Sequence, residues 1–159
     1  MKTLSKITLI IALVFAGLNA SMAMNQQEDT RTIEMVGNDN MDFTVTNIEA
    51  TPGEEITIKL TTKSNLPKMA MAHNVVVVEN DVDLQAFANA SARASDNDYI
   101  APDYEDKIIA ATGLAGDGES VSVTFTVPEQ AGEYEYICSF PGHYAAGMKG
   151  VLTVKSASS

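Results

Sequence analysis

The stretch Ser120–Val127, SVSVTFTV, alternates without a fault. Val121, Val123, Phe125 and Val127 fall on one side, and Ser120, Ser122, Thr124 and Thr126 on the other. A period of two belongs to an extended strand with one wet face and one buried face; at helical spacing the four apolar residues would scatter around the axis. The rhythm recurs along the chain. EITIKLT sets Ile56, Ile58 and Leu60 against Glu55, Thr57 and Lys59, and MDFTVTN puts Met41, Phe43 and Val45 together. EYEYIC groups Tyr134, Tyr136 and Cys138, and GVLTVK supplies a last strand. TPGEE and PEQAGE punctuate these runs as turns. Many short half-buried strands in one domain predict an all-β fold, an antiparallel β-sandwich with Greek-key connections. One segment breaks the rhythm. DLQAFANASARA offers Asp83 as a helix N-cap and Leu84, Phe87 and Ala88 as one helical stripe, so a short helix is expected between strands. DYIAPDYEDKII is then expected to return to extended structure.

The N-terminus has another character. Lys2 and Lys6 precede an almost wholly apolar run, Ile7–Leu18, and Ser21-Met22-Ala23 fits a small-x-small cleavage site. This pattern is a secretory signal, too short and wrongly flanked for a stable span. The competing reading is an uncleaved anchor. The expected organisation is a signal peptide over 1–23, a polar lead-in over 24–32, one domain over 33–155 and a loose tail over 156–159. Residues from Met24 onward are enough for a single domain with a sizeable core. Ten basic residues face twenty-one acidic ones, a net charge of −11. That balance disfavours nucleic acid and anionic lipid as partners and suits a partner with a basic patch. A salt-adapted solvated surface would read the same way.

An exported chain with a single cysteine, Cys138, forms no internal disulfide. A lone thiol in an oxidising compartment is a liability unless it is buried, reactive or ligated. Cys138 opens the stretch CSFPGHYAAGM, which also holds His143 and Met148; the chain's one other histidine, His73, lies in MAMAHNVVVV. Two histidines and a cysteine with a weak axial methionine form the donor set of a blue-copper electron-transfer site. Pro141 and Gly142 turn the chain between Cys138 and His143, and Met148 stands just before the last strand. One loop can therefore deliver three ligands to the same end of the sandwich. Taken singly, Cys138 reads as a small core residue, His143 as a turn residue, and Met148, Met69 and Met71 as core, the last two sharing a strand face with His73. Their joint spacing favours a metal.

The segments NLPKMAMAHN, DYIAPD, KIIAATGLAGDGESVSVTF and YICSFPGH with MKG resemble the cupredoxins, azurins above all, from about Met35 to Val154. The resemblance implies a cupredoxin-like sandwich holding one mononuclear type 1 copper ion. His73, Cys138 and His143 would be strong ligands, Met148 the weak axial one, and Ala72 the residue whose carbonyl approaches the metal. Asn74 and Ser139 would tie the His73 strand to the cysteine loop. The chain departs from azurins in having Ala72 for a glycine, Val75 after Asn74, no disulfide, and one more residue between His143 and Met148, which implies a shorter axial bond.

The resulting expectation is an exported, periplasmic one-electron carrier. Redox proteins would dock transiently near His143, on a patch of Phe140, Tyr144, Ala145, Ala146 and Met71. An enzyme is not expected: copper oxidases and nitrite reductases need further histidines, and a Cys138–His143 nucleophilic pair would leave Met148 unexplained. Copper carriage or storage, with Met69 and Met71 as extra sulfur, remains the alternative, and zinc suits the same one cysteine and two histidines.

Overall fold

The structure, a computed structural model, describes residues 30–156. The expected signal peptide, most of the lead-in and most of the tail lie outside the described residues.

Among the described residues, eight strands form two sheets. β1 (Arg31–Asn38), β3 (Glu55–Lys63) and β6 (Ser120–Thr126) make one, in the order β1-β3-β6. β2 (Asn47–Ala50), β8 (Lys149–Val154), β7 (Gly132–Ile137), β4 (Val76–Val78) and β5 (Ile108–Ala111) make the other, in the order β2-β8-β7-β4-β5. The chain passes repeatedly from one sheet to the other, and together they are the β-sandwich expected from the alternation. The sandwich is not wholly antiparallel, however. β1 pairs with β3, and β2 with β8, in parallel. Both parallel pairs follow from sheet crossing, since β1 and β3 are separated by β2 in the other layer.

The core sits between the layers. Ile56, Ile58 and Leu60 of β3 are completely buried, with Phe125 and Val127 opposite, Tyr134 and Tyr136 from β7, and Cys138 just after it. Burying each large apolar side chain contributes about 1.5–3 kcal/mol. Outside, the alternation leaves hydroxyls: Thr57 meets Thr124, and Thr61 meets Ser120, each pair at 2.7 Å. A second apolar cluster joins Val76, Val78 and Ile137 to Leu84 and Phe87. The last two belong to the inserted helix, α1 (Leu84–Ser91), and the Asp83 side chain caps it by accepting from the Ala86 N–H at 3.0 Å.

Two expectations need correction. MDFTVTN is not a strand. Met41 takes a left-handed backbone (φ 60°) in the turn after β1, and Phe43 forms only an isolated bridge to Gly37. The strand lies just upstream, where Ile33 and Met35 carry the period of two. DYIAPDYEDKII does not run extended throughout: Pro102–Lys107 is a 3-10 turn started by proline, and extension begins only with β5.

Candidate metal centre

His73 lies beyond the loop that leaves β3. Its backbone is pinned in both directions, His73 N–H to the Ala115 carbonyl and Ala115 N–H to the His73 carbonyl, each at 2.9 Å. The ring presses against β1 at Gly37, where a Cβ would stand 2.8 Å from His73 Cδ2, so only glycine leaves room. Met69 and Met71 do not share a strand face with His73. They lie in turns, Met71 buried and Met69 87 % exposed.

Cys138 follows β7 directly, and its N–H donates to the Met148 carbonyl at 3.1 Å. The chain then turns at Gly142 (φ 86°) into α2 (His143–Ala146), one turn of helix closed by Gly147 (φ 105°). Met148 N–H returns to the His143 carbonyl at 3.0 Å. The loop is thus a closed unit, and β8 leaves from it.

The three strong candidates converge. His73 Nδ1 lies 3.1 Å from His143 Nδ1, and Cys138 Sγ lies 3.4 Å from His143 Nδ1 and 3.9 Å from His73 Nδ1. All three are buried, within 4.8 Å of one another. Met148 and Ala72 are fully buried in the same cluster as Cys138. Asn74 and Ser139 bridge the two chain segments. The Asn74 side-chain carbonyl accepts from the Ser139 N–H at 2.9 Å, and its amide donates to Ser139 Oγ at 2.8 Å and to the Asp98 carbonyl at 3.1 Å.

Burial keeps all three side chains neutral in the metal-free protein. Burial pushes the Cys138 thiol up to about 12, against the opposing backbone N–H groups around it. Burial, then the neighbouring His73, brings His143 down to about 4, and burial also lowers His73. At neutral pH both imidazoles are neutral and offer lone pairs, while the thiol must lose a proton on binding metal. Thiolate, imidazole and thioether together suit copper, and among the described residues no carboxylate joins the cluster. The residues fit one type 1 copper ion.

The expected apolar patch is only partly open. Phe140 and Met71 are buried, Tyr144 packs into the second apolar cluster, and His143 is 2 % exposed. Pro141, Gly142, Ala145, Ala146 and Gly147 form the outer surface of the loop. Asp98 and Tyr99 are site residues that composition and spacing did not single out. Both have left-handed backbones, and the Tyr99 ring stands edge-on to Phe140 at 5.0 Å. No sequence signal marks a left-handed tyrosine.

A two-layer β-sandwich with a buried Cys-His-His group between its loops at one end defines a cupredoxin. Residues 30–155 match the model for copper binding proteins of the plastocyanin/azurin family, and the chain belongs to that family. It is 38 % identical to azurin of Pseudomonas aeruginosa over 128 residues, 78 % of this chain and 84 % of that one. It is 37 % identical to outer membrane protein H.8 of Neisseria meningitidis over 74 % of this chain and 63 % of that one. Among solved structures it resembles auracyanin A, a "blue" copper protein of Chloroflexus aurantiacus, with TM-score 0.68, 34 % identity, and coverage of 78 % and 98 % of the two chains.

Proposed function

We propose that the chain carries single electrons between redox partners through one type 1 copper ion, without catalysing a reaction of its own. The observation that carries this reading is the buried, carboxylate-free convergence of Cys138 Sγ with the Nδ1 atoms of His73 and His143. Those three atoms are the proposed strong ligands. Met148 is the proposed axial donor, from the end of the loop that bonds back to His143. The Ala72 carbonyl is the proposed weak contact. The bound ion supplies one-electron redox chemistry, and the chain keeps water from it and holds its donors still. Asn74 and Ser139 serve the second task by locking the two ligand-bearing segments together.

Partners are proposed to approach over Pro141 and Ala145–Gly147, the surface that thinly covers His143. An acidic chain favours a partner with a basic patch. The working domain is proposed to span residues 33–155, delivered outside the cytoplasm by a leader cleaved after Ala23. Among the described residues no helix is long and apolar enough to cross a membrane.

The test is to load the purified domain with Cu(II) and record visible absorption and electron paramagnetic resonance spectra, with Cys138→Ser as control. An intense thiolate-to-copper band with narrow hyperfine splitting, lost in the variant, is expected. A colourless wild type with an ordinary tetragonal Cu(II) spectrum would remove Cys138 from the site and leave copper carriage as the better reading.

A further inference from the structure

We propose that Tyr99, with the left-handed kink it shares with Asp98, is a positioning residue that holds the His143 loop in its ligand-bearing shape before any metal binds. Two consecutive non-glycine residues with positive φ, 49° at Asp98 and 56° at Tyr99, are rare, and a bulky residue there is disfavoured by contact of its Cβ with the backbone. Such backbone persists only where its surroundings hold it. Here the surroundings are Asn74 and Phe140 beside the candidate metal centre, and the Ala94 carbonyl. The Asp98 carbonyl accepts one N–H of the Asn74 amide, whose other contacts are all with Ser139. The Tyr99 ring meets Phe140 edge-on, with planes at 67°, and Phe140 in turn lies 4.8 Å from the His143 ring. The kink lets Asp98 reach the Asn74 side chain on the His73 segment by its carbonyl while Tyr99 reaches the loop by its ring.

Both contacts originate outside the sandwich strands. Tyr99 N–H is tied to the Ala94 carbonyl at 3.0 Å, so the kink is anchored on the segment that follows α1. Before it, α1 packs through Leu84 and Phe87 onto β4 and β7. The inserted segment, which contributes no candidate ligand, thereby braces the loop that carries three. The functional side of the inference rests on the copper reading above; the bracing itself does not.

The test separates the two. In the metal-free protein, amide hydrogen exchange would be compared among wild type, Tyr99→Leu and Tyr99→Phe. Tyr99→Leu is expected to speed exchange at Ser139, His143, Ala146 and Met148 about tenfold, with β3 and β6 unchanged. Tyr99→Phe, which keeps the ring, is expected to match wild type. After copper loading, Tyr99→Leu should also alter the hyperfine splitting and reduction potential, and Tyr99→Phe should not. Unchanged loop exchange, or equal acceleration across both sheets, would overturn the proposal. If Tyr99→Leu does not fold, Tyr99→Gly removes the ring while relieving the backbone and allows the same comparison. A colourless wild type would sink the copper reading and leave the exchange result standing.

Discussion

Between β3 and β6 the side chains keep register for seven residues, from Glu55 opposite Thr126 to Thr61 opposite Ser120. Between Asn65 and Ala72 no residue belongs to a strand. The two regions also bury opposite things. The strand pair sends Ile56, Ile58 and Leu60 inward and hydroxyls outward, whereas the loops turn His73, Asn74, Thr112, Ser139 and His143 inward. Apolar burial is non-directional and tolerates small shifts. Buried polar groups must each be paired, and pairing fixes position. Thr112 shows the difference: its hydroxyl accepts from the Val75 N–H and donates to the Gly113 carbonyl, each at 3.0 Å. Among the described residues, two buried polar atoms at this end close no side-chain hydrogen bond: Asp39 Oδ1, and His73 Nε2 on the ring edge away from the nitrogen that faces Cys138. The body thus supplies stability, and the loop end sets donor geometry.

The sharpest way to break that division is to damage the body and look for an effect on the metal. Ile58→Ala removes a fully buried side chain from the middle of β3. The expected cost is about 2–5 kcal/mol, since the cavity adds to the lost transfer energy. Urea unfolding of the metal-free protein measures it. The copper spectrum of the folded variant should match wild type. A changed spectrum would mean that the body also sets the site.

The same division explains what could be read in the sequence. Strands β3, β6 and β7 announce themselves because alternation is a local code for facing. The convergence of Cys138 and His143 could be read because one short loop carries them, and that of His73 because no other histidine was left; Met148 is a proposed donor from the same loop. β1 was missed although Ile33 and Met35 keep the period, because the run from Met41 looked as good and only pairing with β3 decides between them. The 3-10 turn at Pro102 carries a local signal in its proline, whereas the kink at Tyr99 has none and answers to contacts with other segments. The exposure of the patch was misjudged for the same reason: Tyr144 is drawn inward by α1, a partner that spacing cannot reveal.

A smaller effect is expected from the loop end. Met148→Leu nearly conserves volume at a fully buried position, so the fold should tolerate it. Leucine has no lone pair to stabilise the more highly charged Cu(II) form. Copper should remain bound, and the one-electron equilibrium should move about tenfold toward Cu(I), about 59 mV upward. Voltammetry of the loaded variant against wild type gives the shift. Loss of copper would make Met148 a principal ligand, and an unchanged potential would remove it from the coordination sphere.

The last effect appears only away from neutrality, and it sets the two regions apart by pH. His143 falls from 6.5 to about 4 on folding, because burial disfavours its cation. Its contribution to metal-free stability is therefore complete above pH 6.5 and is lost as pH falls through about 4, where the unfolded chain has taken up a proton that the folded chain refuses. Cys138 moves oppositely, from 9.0 to about 12. Its contribution is complete below pH 9 and is lost as pH rises toward 12. Exposed carboxylates away from the metal centre, such as Asp81 beside Lys107 and Glu119 beside Lys68, are held below their usual range and weaken the fold only at stronger acid. They are exposed and respond to salt, whereas the buried pair at the metal centre should not. Urea midpoints of the metal-free protein should be level between about pH 6.5 and 9 and fall on both sides. Cys138→Ser should erase the alkaline fall alone. An alkaline fall that survives the substitution would assign it to the body's tyrosines and lysines, and the metal centre would then carry no pH dependence of its own on that side.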